Sequence, residues 1–487
     1  MTSKDHVCSV GPLRILTEAQ KRDLYHGALE VLGRAGMQLD DQEAVDLLLR
    51  AGATIDERGR LLVPRRLVED ARASAPGSIP LFDRNGNAAM DLGAYRSYFG
   101  NGSDVMRTYD LETGELRPTV LADTRAAARL TQSLPNIDFI MSFAFPHDVD
   151  DPHRAALENF RVMVTDSTKP LTMIAENLDE LRAIWEVACA IRGGEEPLRH
   201  RPYFVTYAQP SSPLEHPVDP LGKLLFCADQ GIPVVYSPSP LSGATSPITV
   251  AGQLVQGIAE SLIGLVIHQL RRPGAPFIFG IGPAVLDLVT TQSSYNAPEY
   301  LAAYLGAIEM ARWLDLPNWG YAGTSDSHVV DAQAGMEAGE ITLLSMLAGS
   351  NLNHDIGYLA FGLSCSLEMI VITDEFLAMN RRLLSGIRVD RDSMALDTID
   401  LVGPGGHFVN AKHTLKNARS TQWRPTVFNR AGIERWQKAG APDLREAARL
   451  KALKILAEYE PPALDAAVAA RIDQIVEGFR SDAKSEG

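Results

Sequence analysis

From Arg96 to Gly386 short apolar runs alternate with amphipathic helical stretches, and the alternation repeats eight times. The runs are SYFGN from Ser97, DFIMSF from Asp138, LTMIA from Leu171, YFVTYA from Tyr203, PVVYS from Pro233, FIFGIG from Phe277, NWGYA from Asn318 and NHDIG from Asn353. Their length and aromatic or β-branched content suit strands. Helical patterns lie between them at 124–133, 153–165, 178–191 and 249–270, and CSLEMIVITDEFLAMNRRLL follows the last run. A helix after every strand returns the chain to the same end of the sheet, so the strands must be parallel. Eight such units are what a (β/α)8 TIM barrel needs. An open doubly wound sheet would announce a dinucleotide site by GxGxxG after its first strand. GNG at Gly100–Gly102 lacks the third glycine, and GPGG at Gly403–Gly406 comes after the last unit. The predicted class is therefore α/β, a TIM barrel over residues 96–386.

The flanks read differently. Residues 1–95 form a mostly helical N-terminal domain, with Leu24, Ala28, Val31 and Leu32 on one helical stripe and Ala44, Leu47 and Leu48 on another. GATIDERGRLLV reads as a hairpin, and Pro64 opens a further helix. Residues 387–487 form a helical C-terminal extension whose last helix should pack on the outside or across a subunit contact, consistent with a homo-oligomer. At 487 residues one large barrel with such additions is a natural size.

A net charge of -15 argues against nucleic acid or an anionic membrane as the main partner. Met1 to Val10 is polar and has no signal-peptide core, and the apolar run from Ile258 to Leu270, broken by Glu260 and His268, is too short to span a bilayer. A cytoplasmic protein is expected. Cys8, Cys189, Cys227 and Cys365 have neither zinc-knuckle nor redox spacing, and Cys189 and Cys227 fall in core-like helical patterns.

A barrel keeps its chemistry at the carboxyl ends of its strands. The residues there are Phe99 and Asn101; Phe143, Phe145 and His147; Glu176 and Asn177; Tyr207 and Gln209; Tyr236 and Ser239; Phe279; Tyr321, Ser325, Asp326 and His328; and Asp355, Tyr358 and Phe361. Aromatic residues recur at nearly every strand end, whereas Lys and Arg are missing from all of them. Such a set suits a positively charged ligand and disfavours a phosphorylated one. The bland reading is that each ring fills core and each Asp caps a turn. Asp331, for one, is placed to cap the helix after the seventh strand, and Gly335 with Gly339 would give that helix a bare face against the sheet. Neither Asp326 with His328 nor His354 with Asp355 has the spacing of a recognisable metal site, so no metal is expected. GxSxG is absent, and no Cys has a nearby His.

The stretch GYAGTSDSHVVDAQAGMEAGE, with FGNGSDV from Phe99, resembles the trimethylamine methyltransferase family, and the resemblance extends over nearly the whole chain. It implies a TIM barrel that moves a methyl group from an amine to the cob(I)alamin of a separate corrinoid protein, with no cofactor held tightly by the chain itself. Archaeal members carry pyrrolysine, which this chain lacks. Members without it include demethylases of quaternary amines such as glycine betaine, proline betaine and carnitine. The expected substrate is therefore a small quaternary amine, with glycine betaine first and proline betaine, carnitine or trimethylamine as the alternatives. Asp326, His328 and Asp355 are the candidate orienting groups. Phe99, Tyr236, Phe279, Tyr321 and Tyr358 are the candidate aromatic enclosure. Asn101, His147, Gln209 and His328 are the candidate donors to a carboxylate. Two other classes fit the same barrel: a metal-assisted lyase or hydrolase, and a betaine-binding protein without catalysis.

Overall fold

In the computed structural model, which describes residues 12–480, all eight runs join one ring. In chain order they are β1 (Tyr98–Asn101), β2 (bridged at residues 139 and 140), β3 (Leu171–Met173), β4 (Phe204–Ala208), β5 (Val234–Tyr236), β6 (Phe277–Phe279), β7 (Trp319–Tyr321) and β8 (Leu352–Ile356). Each pairs in parallel with the next, and β8 closes onto β1 through Leu352 opposite Tyr98 and Asn353 opposite Phe99. The long helices that follow the strands are α1 (Leu121–Ser133), α2 (Ala155–Asp166), α3 (Leu178–Arg192), α4 (Val218–Gln230), α5 (Val250–Arg271), α6 (Pro298–Trp313), α7 (Ala332–Ala348) and α8 (Leu367–Leu384). Four of them start at side-chain caps: Asn177 on α3, Thr249 on α5, Asp331 on α7 and Ser366 on α8. Each such cap stabilises its helix by about 1 kcal/mol.

Strand parity sorts the core into two layers. Val205, Val235, Ile278 and Trp319 share the barrel interior, while Val234, Tyr236, Phe277 and Phe279 join the layer packed against the helices. The hairpin of Ile79–Phe82 with Ala88–Leu92 sends Ile79, Leu81, Met90 and Leu92 into the interior cluster and closes the end of the barrel where the strands begin. At the other end the loops build two small sheets. One joins Leu241–Ser242, Ala284–Leu286 and Ser293–Ser294; the other joins Arg107–Tyr109, Leu116–Pro118, Tyr358–Leu359 and Ser364–Cys365.

The N-terminal helices Glu18–Glu30, Gln42–Ala51 and Arg65–Ser74 all pack on α5. The expected hairpin is present as Thr54–Ile55 against Leu61–Leu62. Helix α5 has 22 residues, long and apolar enough by itself to cross a membrane, which corrects the shorter run read from sequence. It is mostly buried within the protein. Its Glu260 is enclosed with it, accepting from Ser212 Oγ at 2.7 Å and Leu214 N at 2.8 Å. The glycine face of α7 also needs correction: an added Cβ at Gly339 would meet the Phe376 ring of α8 at 3.1 Å, and one at Gly335 would meet nothing. Helix α7 therefore closes on a helix there, not on the sheet. Helix Leu444–Glu458 lies against α8 and α1, and helix Ala466–Gly478 against α3 and α2. Cys227 is buried and Cys189 half-buried, both as free thiols; Cys8 and the Met1–Val10 segment lie outside the described residues.

Candidate active site

At the carboxyl ends of the strands lies a cavity of about 200 Å³. Its wall holds six aromatic residues (Tyr207, Tyr295, Tyr300, Trp319, Tyr321 and Tyr358) and two carboxylates, Asp104 and Asp355. His354, Gln209, Ser239 and Ser103 add to its polar surface, and no Lys or Arg of the described residues lines it.

The rings support one another in sequence. Trp319 stacks on His354 with centroids 4.1 Å apart, and Tyr321 tilts against the same imidazole at 4.8 Å. Tyr300 meets Tyr321 edge-on at 6.1 Å and Tyr295 at 5.6 Å, while Tyr207 reaches Trp319 at 5.5 Å. Two of the tyrosines depend on glycines of neighbouring loops. A Cβ at Gly102 would fall 1.9 Å from Tyr358 Cε1, and one at Gly282 would fall 2.7 Å from the Tyr321 hydroxyl. Burial pushes the Tyr300, Tyr321 and Tyr358 hydroxyls well above their ordinary range, and the Asp355 charge adds to each shift. These rings therefore stay neutral, with their π faces available to a cation. The Tyr207 hydroxyl donates to Gln209 Oε1 at 2.8 Å, which fixes the amide and leaves its NH2 without a partner among the described residues.

The carboxylates arrive by two backbone irregularities. Strand β8 keeps register with β7 through His354 but slips against β1 between Asn353 and Ile356. Asp355 sits at the slip with φ +77°. This bulge lets two consecutive side chains, His354 and Asp355, face one cavity, where a regular strand would send them to opposite sides. His354 Nδ1 lies against Asp355 Oδ1, and Asp355 is only 3% exposed. Asp104, also at positive φ, follows β1. Its Oδ1 accepts from Ser142 Oγ at 2.7 Å, whereas its Oδ2 is buried and has no hydrogen-bond partner among the described residues. Burial pushes this carboxyl up to about 6.

The residues named from sequence divide accordingly. Gln209, Tyr321, Asp355 and Tyr358 border the cavity, as do Tyr207 and Ser239. The others are corrected. Tyr236 and Phe279 face the helices, Tyr236 against Gly264 and hydrogen-bonded to His216 Nδ1 at 2.7 Å. Phe99 packs outward beneath the Arg381 guanidinium. Asn101 spends its amide bridging β1 and β2, with Met141 N donating to Oδ1 at 3.0 Å and Nδ2 donating to Met141 O at 2.8 Å. His147 and His328 are exposed, the one against Thr119 O and the other beside Phe361. Asp326 is a positioning residue: it accepts from Ser294 Oγ at 2.5 Å and Tyr295 N at 2.9 Å, holding the loop that carries Tyr295 and leads to Tyr300. Glu337 in turn accepts from Ser325 Oγ and Asp326 N, so the GTSDSH loop is braced internally. Sequence reading missed Asp104, Tyr295, Tyr300 and Trp319. The signal for Trp319 was its place in the NWGYA strand; for Asp104 it was the polar FGNGSDV turn. Among the described residues no three His, Cys, Asp or Glu side chains are grouped to hold a metal.

This is the architecture of a (β/α)8-barrel enzyme with a small, ring-walled cavity at the carboxyl ends of its strands. The trimethylamine methyltransferase family model matches residues 2–481, and the chain belongs to that family. The trimethylamine methyltransferase MttB of Desulfitobacterium hafniense is 32% identical over 93% of this chain and 91% of its own. A glycine betaine methyltransferase from another strain of that species is 30% identical over 95% and 96%. The crystal structure of the Methanosarcina barkeri monomethylamine methyltransferase MtmB shares the fold, with TM-score 0.56 at 11% identity over 94% of this chain and 91% of that one. The chain is a methyltransferase, as the resemblance implied.

Proposed function

We propose that the chain takes a methyl group from a small quaternary amine and delivers it to the cob(I)alamin of a partner corrinoid protein. The observation that carries this reading is the cavity itself: six aromatic residues and two carboxylates around about 200 Å³, with no Lys or Arg of the described residues beside them. Contact of an ammonium with each ring is worth about 0.5–2 kcal/mol, more where water is excluded. A quaternary nitrogen already carries the charge of a leaving group, so its C–N bond can break with the electron pair kept by nitrogen and no proton supplied. The chain's residues then need only to hold the cation, point one methyl at the opening and keep water away.

The corrinoid supplies the nucleophile when its protein docks. A corrin ring is far wider than this cavity, so the rim is where it must be received. Met106, Ile248, Leu288, Val289 and Leu363 all stand exposed on the loops of that rim, the Val289 side chain almost wholly so. That apolar border supports a protein partner at the mouth.

Within the class, glycine betaine is the substrate expected from sequence, and one relative bears its name. Of the four donors expected for its carboxylate, only Gln209 borders the cavity. The test is the absorbance change as cob(I)alamin is converted to methylcobalamin, with a reduced corrinoid protein and a panel of quaternary and tertiary methylamines. Turnover with a quaternary amine is expected. No conversion of any member, with a corrinoid protein shown to be active in its own system, would refute the reading.

A further inference from the structure

We propose that Asp104 tunes the site for quaternary amines of net positive charge, such as choline and other alkyltrimethylammonium ions, over zwitterionic betaines of the same size. The inference rests on the quaternary-amine reading above and narrows its substrate class.

Two carboxylates face the cavity, but their surroundings differ. Asp355 has an imidazole beside it, His354, whose Nδ1 lies against its Oδ1. Asp104 has only neutral neighbours. Ser142 donates to Oδ1 and receives the Asp104 backbone N–H at 3.1 Å, and the Tyr358 hydroxyl next door is engaged with the Ser103 backbone. The Ser103 and Ser142 hydroxyls oppose the cost of its charge without cancelling it; its second oxygen is buried with no hydrogen-bond partner of bonding geometry among the described residues, and none of their Lys or Arg side chains borders the cavity. A buried, unpaired carboxylate is costly to keep, and a ligand cation beside it removes that cost.

A betaine brings the same cation but adds a carboxylate to a space that already holds one uncompensated negative charge. The neutral donors available to it are Gln209 and the unpartnered Trp319 Nε1. They can solvate an anion without cancelling its repulsion from Asp104. Like charges in a partly desolvated site differ from a neutral pair by about tenfold or more in affinity.

The experiment is calorimetric titration of the purified full chain near neutral pH with choline, glycine betaine and 3,3-dimethylbutan-1-ol, the neutral isostere of choline. Choline should bind about tenfold or more tighter than glycine betaine, and both tighter than the alcohol. In Asp104→Asn the choline-to-betaine ratio should collapse to within about threefold with alcohol binding unchanged, whereas Asp104→Glu should keep the preference. A ratio of two affinities on one sample does not depend on how much of a variant is folded. Equal or tighter binding of glycine betaine by the wild type, or a ratio unmoved in Asp104→Asn, would overturn the inference while leaving the methyltransferase reading intact. Failure of both quaternary amines to bind better than the alcohol would overturn the reading and the inference together.

Discussion

Replacing Asp104 by Asn should make the ligand-free enzyme more stable at neutral pH and cost it affinity for cations. The side chains are nearly the same shape, and an Asn carbonyl can still accept from Ser142 Oγ. What changes is the charge. Burial raises the Asp104 carboxyl from 3.8 to about 6, so the folded protein holds that proton more tightly than the unfolded chain. Between pH about 4 and 6 the folded state therefore binds more protons, and stability falls as pH rises through that window. Above it the full penalty is present, about 3 kcal/mol at 1.36 kcal/mol per pH unit. Unfolding entropy of about 2.1 cal/mol/K per residue makes this about 3 °C in Tm for a chain of this length. Thermal unfolding of wild type and Asp104→Asn, without ligand, between pH 4 and 8 gives the assay. The curves should meet near pH 4 and part by up to about 3 kcal/mol at pH 8 with the variant above. A difference independent of pH, or a variant less stable at pH 8, would show that the charge is not held at the cost argued here.

Three further outcomes follow from the same geometry. Asp326→Ala should lower stability by about 1–3 kcal/mol and raise KM more than it lowers kcat, because it frees the loop that carries Tyr295; an unchanged Tm with lost activity would instead make Asp326 a catalytic residue. Tyr321→Leu should weaken binding of a quaternary amine by about 0.5–2 kcal/mol while Tyr321→Phe nearly preserves it; titration with the preferred amine decides between the ring face and the hydroxyl. The segment from Ile387 to Lys438 forms four short helices that bury no residue, and Ile387, Leu401 and Val409 are more than two-thirds exposed. Sedimentation at low and high protein concentration should show a homo-oligomer, and Leu401→Asp with Val409→Asp should dissociate it.

The barrel was legible because its strands are continuous apolar runs separated by helical periodicity, and both signals are local. Strand parity was not. In FIF all three residues are apolar, since a parallel strand is buried on both faces, so nothing in the sequence says that Ile278 looks inward and Phe279 outward. A strand-end aromatic was thus as able to join the helix layer, as Tyr236 and Phe99 do, as to join the cavity wall. At β8 parity itself is broken by the bulge, which no periodicity announces. Asp104 escaped notice because its importance lies in what it lacks, a partner for Oδ2, and that is a tertiary fact. The GTSDSH loop showed the opposite error: it is rich in polar groups, but Ser325, Asp326 and Glu337 mostly satisfy one another and the start of α6.

The interlock of Gly102 with Tyr358, and of Gly282 with Tyr321, bears on how such a cavity can be inherited and altered. Each aromatic panel occupies the volume that a side chain would need on a loop from another strand, so neither partner can change alone toward larger size. Exchanging the tyrosine for a smaller residue leaves a void beside a glycine, and enlarging the glycine first collides with the ring. A lineage moving to a bulkier amine must pass through the smaller panel before the glycine is released, and one returning to a compact amine must restore the glycine before the ring. The order of substitutions is thus constrained by sterics, and each glycine–tyrosine pair behaves in descent as a single trait written at two distant positions.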